Sequence, residues 1–160
     1  QAGKWDQETI VSFFLCQYCS GEYLRHNLVI SARNTDKAPR SPLHSQSVAF
    51  SHYNHIAGQL PLDMATGKVL TGCVKEQTAQ CLGHIKTIVE NIGHVMDDIV
   101  KVNIQLANIA DLDAVNAIYT QYFPGYHPAR TVIGVSELPA GALVQIDAVM
   151  SNAESTPPQV

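Results

Sequence analysis

Residues 128–149, PARTVIGVSELPAGALVQIDAV, contain two arms rich in β-branched residues. Such residues favour strands, and Pro and Gly between 139 and 142 favour a turn, so the stretch predicts a hairpin-like strand pair. Arg130 opens the first arm and Gln145 lies midway along the second. Because side chains alternate along a strand, Gln145 is predicted on a polar face and its neighbours Val144 and Ile146 on an apolar face.

Arg130 is a candidate anchor for an anion. A guanidinium carries a permanent charge and a planar fork of donors, which suits a carboxylate bound through two hydrogen bonds. The alternative is a surface arginine that is solvated or paired with Glu137, since isolated charges are mostly exposed. We predict that Arg130 faces a pocket shared with Gln145, whose amide can donate and accept hydrogen bonds but cannot take up a proton as a carboxylate would.

Upstream of these arms, predicted strands alternate with predicted helices. Two-residue and helical patterns place them, in order, at 47–50, 53–57, 74–92, 99–107 and 111–122. Gly93 is predicted to end the first helix and Asp111 to cap the second. The order β-β-α-β-α-β-β indicates an α+β fold with both helices on one face of the sheet. Because no further helix is available for the other face, the pattern favours oligomerisation through the sheet.

The two ends of the chain differ from this central part. Residues 1–34 are predicted to be an N-terminal extension that contains a short helix ending near Gly21 and a candidate strand at 28–30. A polar, Pro-containing linker follows at 35–45. Residues 152–160 form a polar tail that is expected to be loose. The predicted domain therefore spans 35–151, and the extension is expected to be dispensable for the pocket.

Composition narrows the class of partner. The formal charge is −4 and the chain has no Lys/Arg cluster, which argues against nucleic acid and anionic membranes as partners. No apolar run reaches the length of a membrane span, so a soluble, cytoplasmic protein that binds a small metabolite is expected. A lone Cys16-x-x-Cys19 and scattered histidines lack the spacing of a metal site. We therefore expect reduced, inert thiols and no metal.

A series of short motifs runs through the central part of the chain. In order they are SQ-x-V (45–48), GQ-x-P (58–61), EQT (76–78), DDIVK (97–101), AVN-x-x-Y (114–119), PAR (128–130) and LP (138–139), followed by IDA (146–148). Each motif alone is weak, but their order and spacing together resemble the YjgF/RidA family. The resemblance covers about residues 35–151.

The resemblance implies a chorismate-mutase-like α+β fold that forms a homotrimer with clefts between subunits. It also implies an enamine/imine deaminase that hydrolyses 2-aminoacrylate and related imino acids to a 2-keto acid and ammonia, without a cofactor. Arg130 matches the family arginine that holds the substrate carboxylate. Gly58 and Asn116 match residues that line or approach the pocket, and we add His44 and Val132 to the predicted substrate-binding set.

Two positions depart from the family pattern. His44 stands where the family often has a tyrosine, and Gln145 stands where the deaminases usually carry a glutamate that handles the attacking water. An altered substrate or a weaker reaction is therefore expected. A non-catalytic metabolite-binding regulator with the same pocket is the alternative. An RNA-cleaving translation inhibitor is a third reading, which the acidic charge balance disfavours.

Overall fold

The computed structural model describes residues 30–151. In this range the strands are β1 (Ile30–Arg33), β2 (Ser47–Phe50), β3 (Tyr53–Gln59), β4 (Ile99–Leu106), β5 (Ala129–Gly134) and β6 (Val144–Ser151). The α-helices are α1 (Val74–Asn91) and α2 (Leu112–Tyr122). The helix predicted in the N-terminal extension and the predicted tail at 152–160 lie outside the described residues.

The strands form one mixed sheet in the order β1-β2-β3-β6-β4-β5. Neighbours are antiparallel except β4 and β5, which are parallel and connected through α2. The predicted hairpin of 128–149 is therefore wrong, because β4 lies between β5 and β6. The connection runs around the end of β4, where the Val135 N–H donates to the Leu106 carbonyl and the Ala107 N–H donates to the Leu143 carbonyl. Strand propensity located both arms and the turn, but propensity does not specify which strands pair.

Both helices cover the same face of the sheet, as predicted. The core contains apolar side chains from α1, α2 and the inward positions of the central strands, among them Leu82, Ile85, Val115, Ile104 and Ile146. Each such side chain contributes about 1.5–3 kcal/mol when it is fully buried. The alternation predicted for β6 is confirmed, since Val144, Ile146 and Ala148 are buried and the residues between them are half-buried.

Local signals at the helix ends are partly confirmed. The Glu76 carboxylate accepts a hydrogen bond from the Cys73 N–H (3.0 Å) at the start of α1, and Gly93 has a φ of 83° just beyond its end. Asp111 lies at the N-cap of α2 but makes no capping bond. Asn108 caps the preceding 3-10 turn instead, since its Oδ1 accepts from the Ala110 N–H (3.1 Å). A short turn before the helix shifted the cap upstream of the predicted residue.

The sheet begins before the predicted boundary at residue 35. Strand β1 pairs with β2 in the register Ile30 to Phe50, and it lies inside the segment predicted to be an extension. Its four residues are too few and too mixed in polarity to produce a clear pattern. Of the candidate strand at 28–30, only the last residue lies in the described range.

Two other expectations concern the cysteine thiols and a possible membrane span. Cys73 and Cys81 are free thiols, and burial raises the pKa of the Cys81 thiol. Cys16 and Cys19 lie outside residues 30–151. Neither α-helix in that range is long and apolar enough to cross a membrane.

Candidate functional site

Arg130 lies at the start of β5, an edge strand whose residues are mostly exposed. Its Nη1 donates to Oδ1 of Asn116 at 2.7 Å. Its guanidinium carbon lies 4.8 Å from the centroid of the Tyr119 ring, within the range of a cation–π contact. We call Arg130, Asn116 and Tyr119 the arginine cluster. Two different contacts therefore hold a guanidinium that itself remains exposed.

The order of elements brings the arginine cluster together. Asn116 and Tyr119 are three residues apart and so lie on the same side of α2. The chain leaves α2 and enters β5 at the sheet edge, which carries Arg130 back beside the helix. Burial raises the pKa of the Tyr119 phenol, and the positive charge of Arg130 acts in the opposite direction.

Gly58 and Gln145 meet on the other face of the sheet, at a β-bulge. Ile56 pairs with Ala148 and Gln59 with Ile146, so two residues of β3 stand opposite Asp147 alone. A bulge bends its strand and often lies beside an active site. A Cβ atom at position 58 would overlap Nε2 of Gln145, so the glycine leaves the space in which this amide lies.

Three further polar side chains, from Asn103, Gln105 and Asp147, lie on the same sheet face as Gln145. Gln105 is its register partner on β4, and Asp147 follows it on β6. Oδ1 of Asp147 accepts from Asn103 Nδ2 (2.8 Å), and Oδ2 accepts from Gln105 Nε2 (3.4 Å). Oε1 of Gln105 is buried without a hydrogen-bond partner. We call Gly58, Gln145, Gln105, Asn103 and Asp147 the glutamine cluster. The sequence analysis did not predict Asn103 and Gln105 as site residues, although the alternation along β4 indicated a polar face there.

Arg130 and Gln145 lie on opposite faces of one sheet. Arg130 is the register partner of Val102, whose side chain is buried beneath the helices. Gln145 pairs with Gln105 on the open face. A pocket that both residues share within one chain, which the supposed hairpin suggested, is therefore wrong. The parity of the second arm was correctly predicted, but the two strands are not neighbours.

His44 lies on the exposed part of a loop at 34–46 that Gln46 anchors. Oε1 of the buried Gln46 side chain accepts from the Thr35 N–H (2.6 Å), and Nε2 donates to the Thr35 and Ala38 carbonyls (2.9 Å each). Leu43, beside His44, is 91% exposed. The fixed loop therefore presents an apolar side chain and an imidazole to the outside.

Val132 lies on the same face as Arg130, because its register partner is the buried Ile104. Its side chain packs, partly buried, against the core. The predicted site residues thus divide into Arg130, Asn116 and Val132 on the helix side, Gly58 and Gln145 on the open face, and His44 on a loop. Residues 30–151 contain no group of three His, Cys, Asp or Glu side chains arranged to hold a metal ion.

Comparisons with known proteins agree with the motifs. A family model described as endoribonuclease L-PSP matches residues 35–151. A RutC family protein of Pyrococcus horikoshii is 38% identical over 117 residues, which cover 72% of this chain and 92% of that protein. The 2-iminobutanoate/2-iminopropanoate deaminase of Homo sapiens is 35% identical over 124 residues, or 77% of this chain and 90% of that protein. The solved YjgF gene product of E. coli has 30% identity and a TM-score of 0.72, covering 76% of this chain and 98% of that chain. The chain therefore belongs to the YjgF/RidA family.

Proposed function

We propose that the protein is an imine deaminase that hydrolyses 2-imino acids of the 2-aminoacrylate type to 2-keto acids and ammonia. The arginine cluster is the observation that carries this proposal. Its guanidinium is exposed, is hydrogen-bonded through Nη1 to Asn116 and lies over the Tyr119 ring. Relatives named 2-iminobutanoate/2-iminopropanoate deaminase, at 34–38% identity, support the same reaction class.

The arginine cluster suits the carboxylate of such a substrate. With Nη1 engaged by Asn116, the Arg130 guanidinium retains donors at Nε and Nη2 for a carboxylate. Two parallel N–H···O bonds fix the direction of the carboxylate as well as its position. Arg130 thereby sets where the imine carbon of the bound acid lies.

Beyond binding the carboxylate, the reaction needs the protein mainly to orient one water molecule. A protonated imine is already electrophilic, so the oxygen of one water molecule adds to C2 and a proton returns to solvent. In the resulting carbinolamine the hydroxyl proton is transferred to the nitrogen, the C=O bond forms as the C–N bond breaks, and ammonia leaves the 2-keto acid. Orientation of substrate and water supplies most of the gain in rate. In this proposal Gln145 orients the water through its amide and does not act as a base.

We further propose a homotrimer whose sites lie between subunits. Arg130 and Gln145 are on opposite sheet faces of one chain, so a substrate that contacts both must contact two chains. The open face carries exposed apolar side chains at Phe50 (42%), Tyr53 (50%) and Ile133 (49%). A second copy that covers this face would bury them and bring its own Arg130 edge to the glutamine cluster.

The second candidate function is metabolite binding without catalysis. It is favoured by Gln145, which is neutral, and by the nearby Asp147 carboxylate, both of whose oxygens already accept amide donors. The family description names an endoribonuclease, but a net charge of −4 gives no attraction for a phosphate backbone.

The test uses freshly generated 2-iminobutanoate and measures the release of 2-oxobutanoate with and without the protein. We expect acceleration that Arg130→Ala abolishes, with a loss of about 2–5 kcal/mol in carboxylate binding. Arg130→Lys recovers only part, because a lysine lacks the planar fork. The matched control is Lys86→Ala, which removes an exposed cation of α1 that pairs with Glu90 at 3.8 Å. Equal rates for wild type and Arg130→Ala would refute the proposal.

A further inference from the structure

We propose that Tyr119 is a positioning residue for Arg130, because the face of its buried ring fixes the plane in which the guanidinium meets a carboxylate. The ligand class in this inference rests on the proposed function. The contact between Arg130 and the Tyr119 ring does not depend on the proposed function. Tyr119 closes the AVN-x-x-Y motif at 114–119, but that motif alone assigned it no role beside Arg130.

The Tyr119 ring is a rigid platform. Its residue is only 6% exposed, and its ring packs against Phe123 with centroids 4.7 Å apart and an interplanar angle of 36°. Arg130 lies over the ring face, 4.8 Å from its centroid. A ring with a neighbour of this kind has little freedom to tilt. The guanidinium that rests on it therefore inherits a fixed orientation.

The hydroxyl group of Tyr119 is not the part that acts on Arg130. Its oxygen is buried and has no hydrogen-bond partner. Because this oxygen makes no hydrogen bond and Arg130 lies over the ring, the contact with the guanidinium is made by the aromatic face. The structure therefore separates two roles that a single tyrosine often combines, and Tyr119→Phe becomes an informative variant.

Asn116 supplies the second constraint. The ring restrains the face of the Arg130 guanidinium, and the 2.7 Å hydrogen bond from Nη1 to Asn116 restrains one edge. A face and an edge together define the plane of the group and its rotation within that plane. An exposed arginine otherwise has several rotatable bonds to order when it binds a ligand. Ordering them in advance lowers the cost of binding.

The direct test is the NMR signal of the Arg130 Nε–H group, which needs no substrate. The chain has four arginines, and the signal of Arg130 is assigned by its loss in Arg130→Lys. We expect a ring-current shift to high field in wild type and in Tyr119→Phe, and its loss in Tyr119→Leu. Tyr122→Leu is the matched control, because Tyr122 lies on the same helix but its hydroxyl donates to the Ala79 carbonyl (3.1 Å).

A second readout measures binding of 2-oxobutanoate, the keto acid product of the proposed reaction. Tyr119→Leu should weaken binding by about three- to tenfold through the lost cation–π contact, and Tyr119→Phe should restore it. Tyr122→Leu should leave affinity unchanged. Equal affinity of folded Tyr119→Leu and wild type would overturn the inference.

The two readouts separate the inference from the proposed function. An unshifted Arg130 signal in wild type overturns the positioning role, whatever the protein catalyses. A shifted signal without any binding of 2-oxobutanoate supports the stack and contradicts the proposed function. Should Tyr119→Leu fail to fold, wild type and Tyr119→Phe still decide the outcome, since a shift in the first that disappears in the second would also refute a role for the ring face.

Discussion

The Gln145 amide lies directly against Gly58 on the open face of the sheet, where a Cβ atom at position 58 would overlap Nε2 of the glutamine. The bulge in β3 brings the glycine to this place. The orientation of the Gln145 amide therefore depends on a missing side chain on the neighbouring strand.

Gly58→Ala should displace the Gln145 amide and reduce turnover while the fold persists. Introducing a methyl group into an occupied space costs about 1–3 kcal/mol, and a flexible glutamine end can yield, so the low part of this range is expected. Thermal unfolding and release of 2-oxobutanoate measure the two effects. The control is Gly134→Ala, where the nearest atom, Ile109 Cβ, is 3.5 Å from the added Cβ. Activity unchanged in Gly58→Ala would argue against a role for the Gln145 position.

Gln145→Glu should raise turnover if the protein is a slow imine deaminase. A carboxylate at this position can accept the proton of the attacking water, which an amide cannot. Steady-state rates with 2-iminobutanoate, together with affinity for 2-oxobutanoate, separate catalysis from binding. Unchanged or lower turnover with intact affinity would remove the water-handling role from position 145 and favour the metabolite-binding function.

The sequence predicted where the helices and strands lie better than it predicted which strands lie side by side in the sheet. The stripe of α1, the alternation of β6 and the helix stop at Gly93 are local, and each was predicted. The separation of β5 from β6 by β4 is a non-local choice that no local pattern records. The same limit hid the bulge at Gly58, which exists only as a register shift between two strands.

The candidate site divides along the same line. Residue type pointed to Arg130 as an anion anchor, strand parity placed Gln145 on the polar face, and the family motifs added Gly58 and Asn116. The contact of Arg130 with Tyr119 depends on the α2 to β5 crossover, and the contacts of Asp147 depend on the β4–β6 register. Both pairings join residues that are distant in sequence or carry no unusual local signal.

His84 should make stability fall in mild acid. Burial lowers the pKa of its imidazole below the ordinary value of 6.5, and a hydrogen bond from Nε2 to the Leu62 carbonyl (2.8 Å) acts weakly in the opposite direction. The unfolded chain therefore binds the proton first, so this contribution is complete above pH 6.5 and is lost as the pH falls through the lowered pKa.

Urea unfolding between neutral pH and pH 5 measures this effect. The His84→Gln variant should show a smaller loss of unfolding free energy over that interval than wild type. His52→Gln, which replaces an exposed histidine between β2 and β3, is the control. It should show the wild-type dependence of the unfolding free energy on pH. The same pH dependence of the unfolding free energy in all three proteins would exclude His84 as the source of the loss of stability in acid.

Gln46→Leu should destabilise the loop that carries His44. The change leaves the Thr35 N–H and the carbonyls of Thr35 and Ala38 without the partners described above, and each unpaired buried group costs roughly 1–3 kcal/mol. Hydrogen exchange of the loop amides and the unfolding midpoint measure the loss. Gln121→Leu, at an exposed position of α2, serves as the control. A loop equally protected in both variants would show that Gln46 does not anchor it.

The central claim is that each site combines Arg130 of one subunit with Gln145 of a neighbour, and subunit mixing tests it most directly. Arg130→Ala and Gln145→Ala are each expected to be inactive alone. When the two are unfolded, mixed in equal amounts and refolded, roughly a quarter of the inter-subunit sites in a trimer receive both intact residues. We predict that release of 2-oxobutanoate returns to about that fraction of the wild-type rate, with a trimer mass by light scattering. A mixture no more active than the two variants refolded separately would contradict the account.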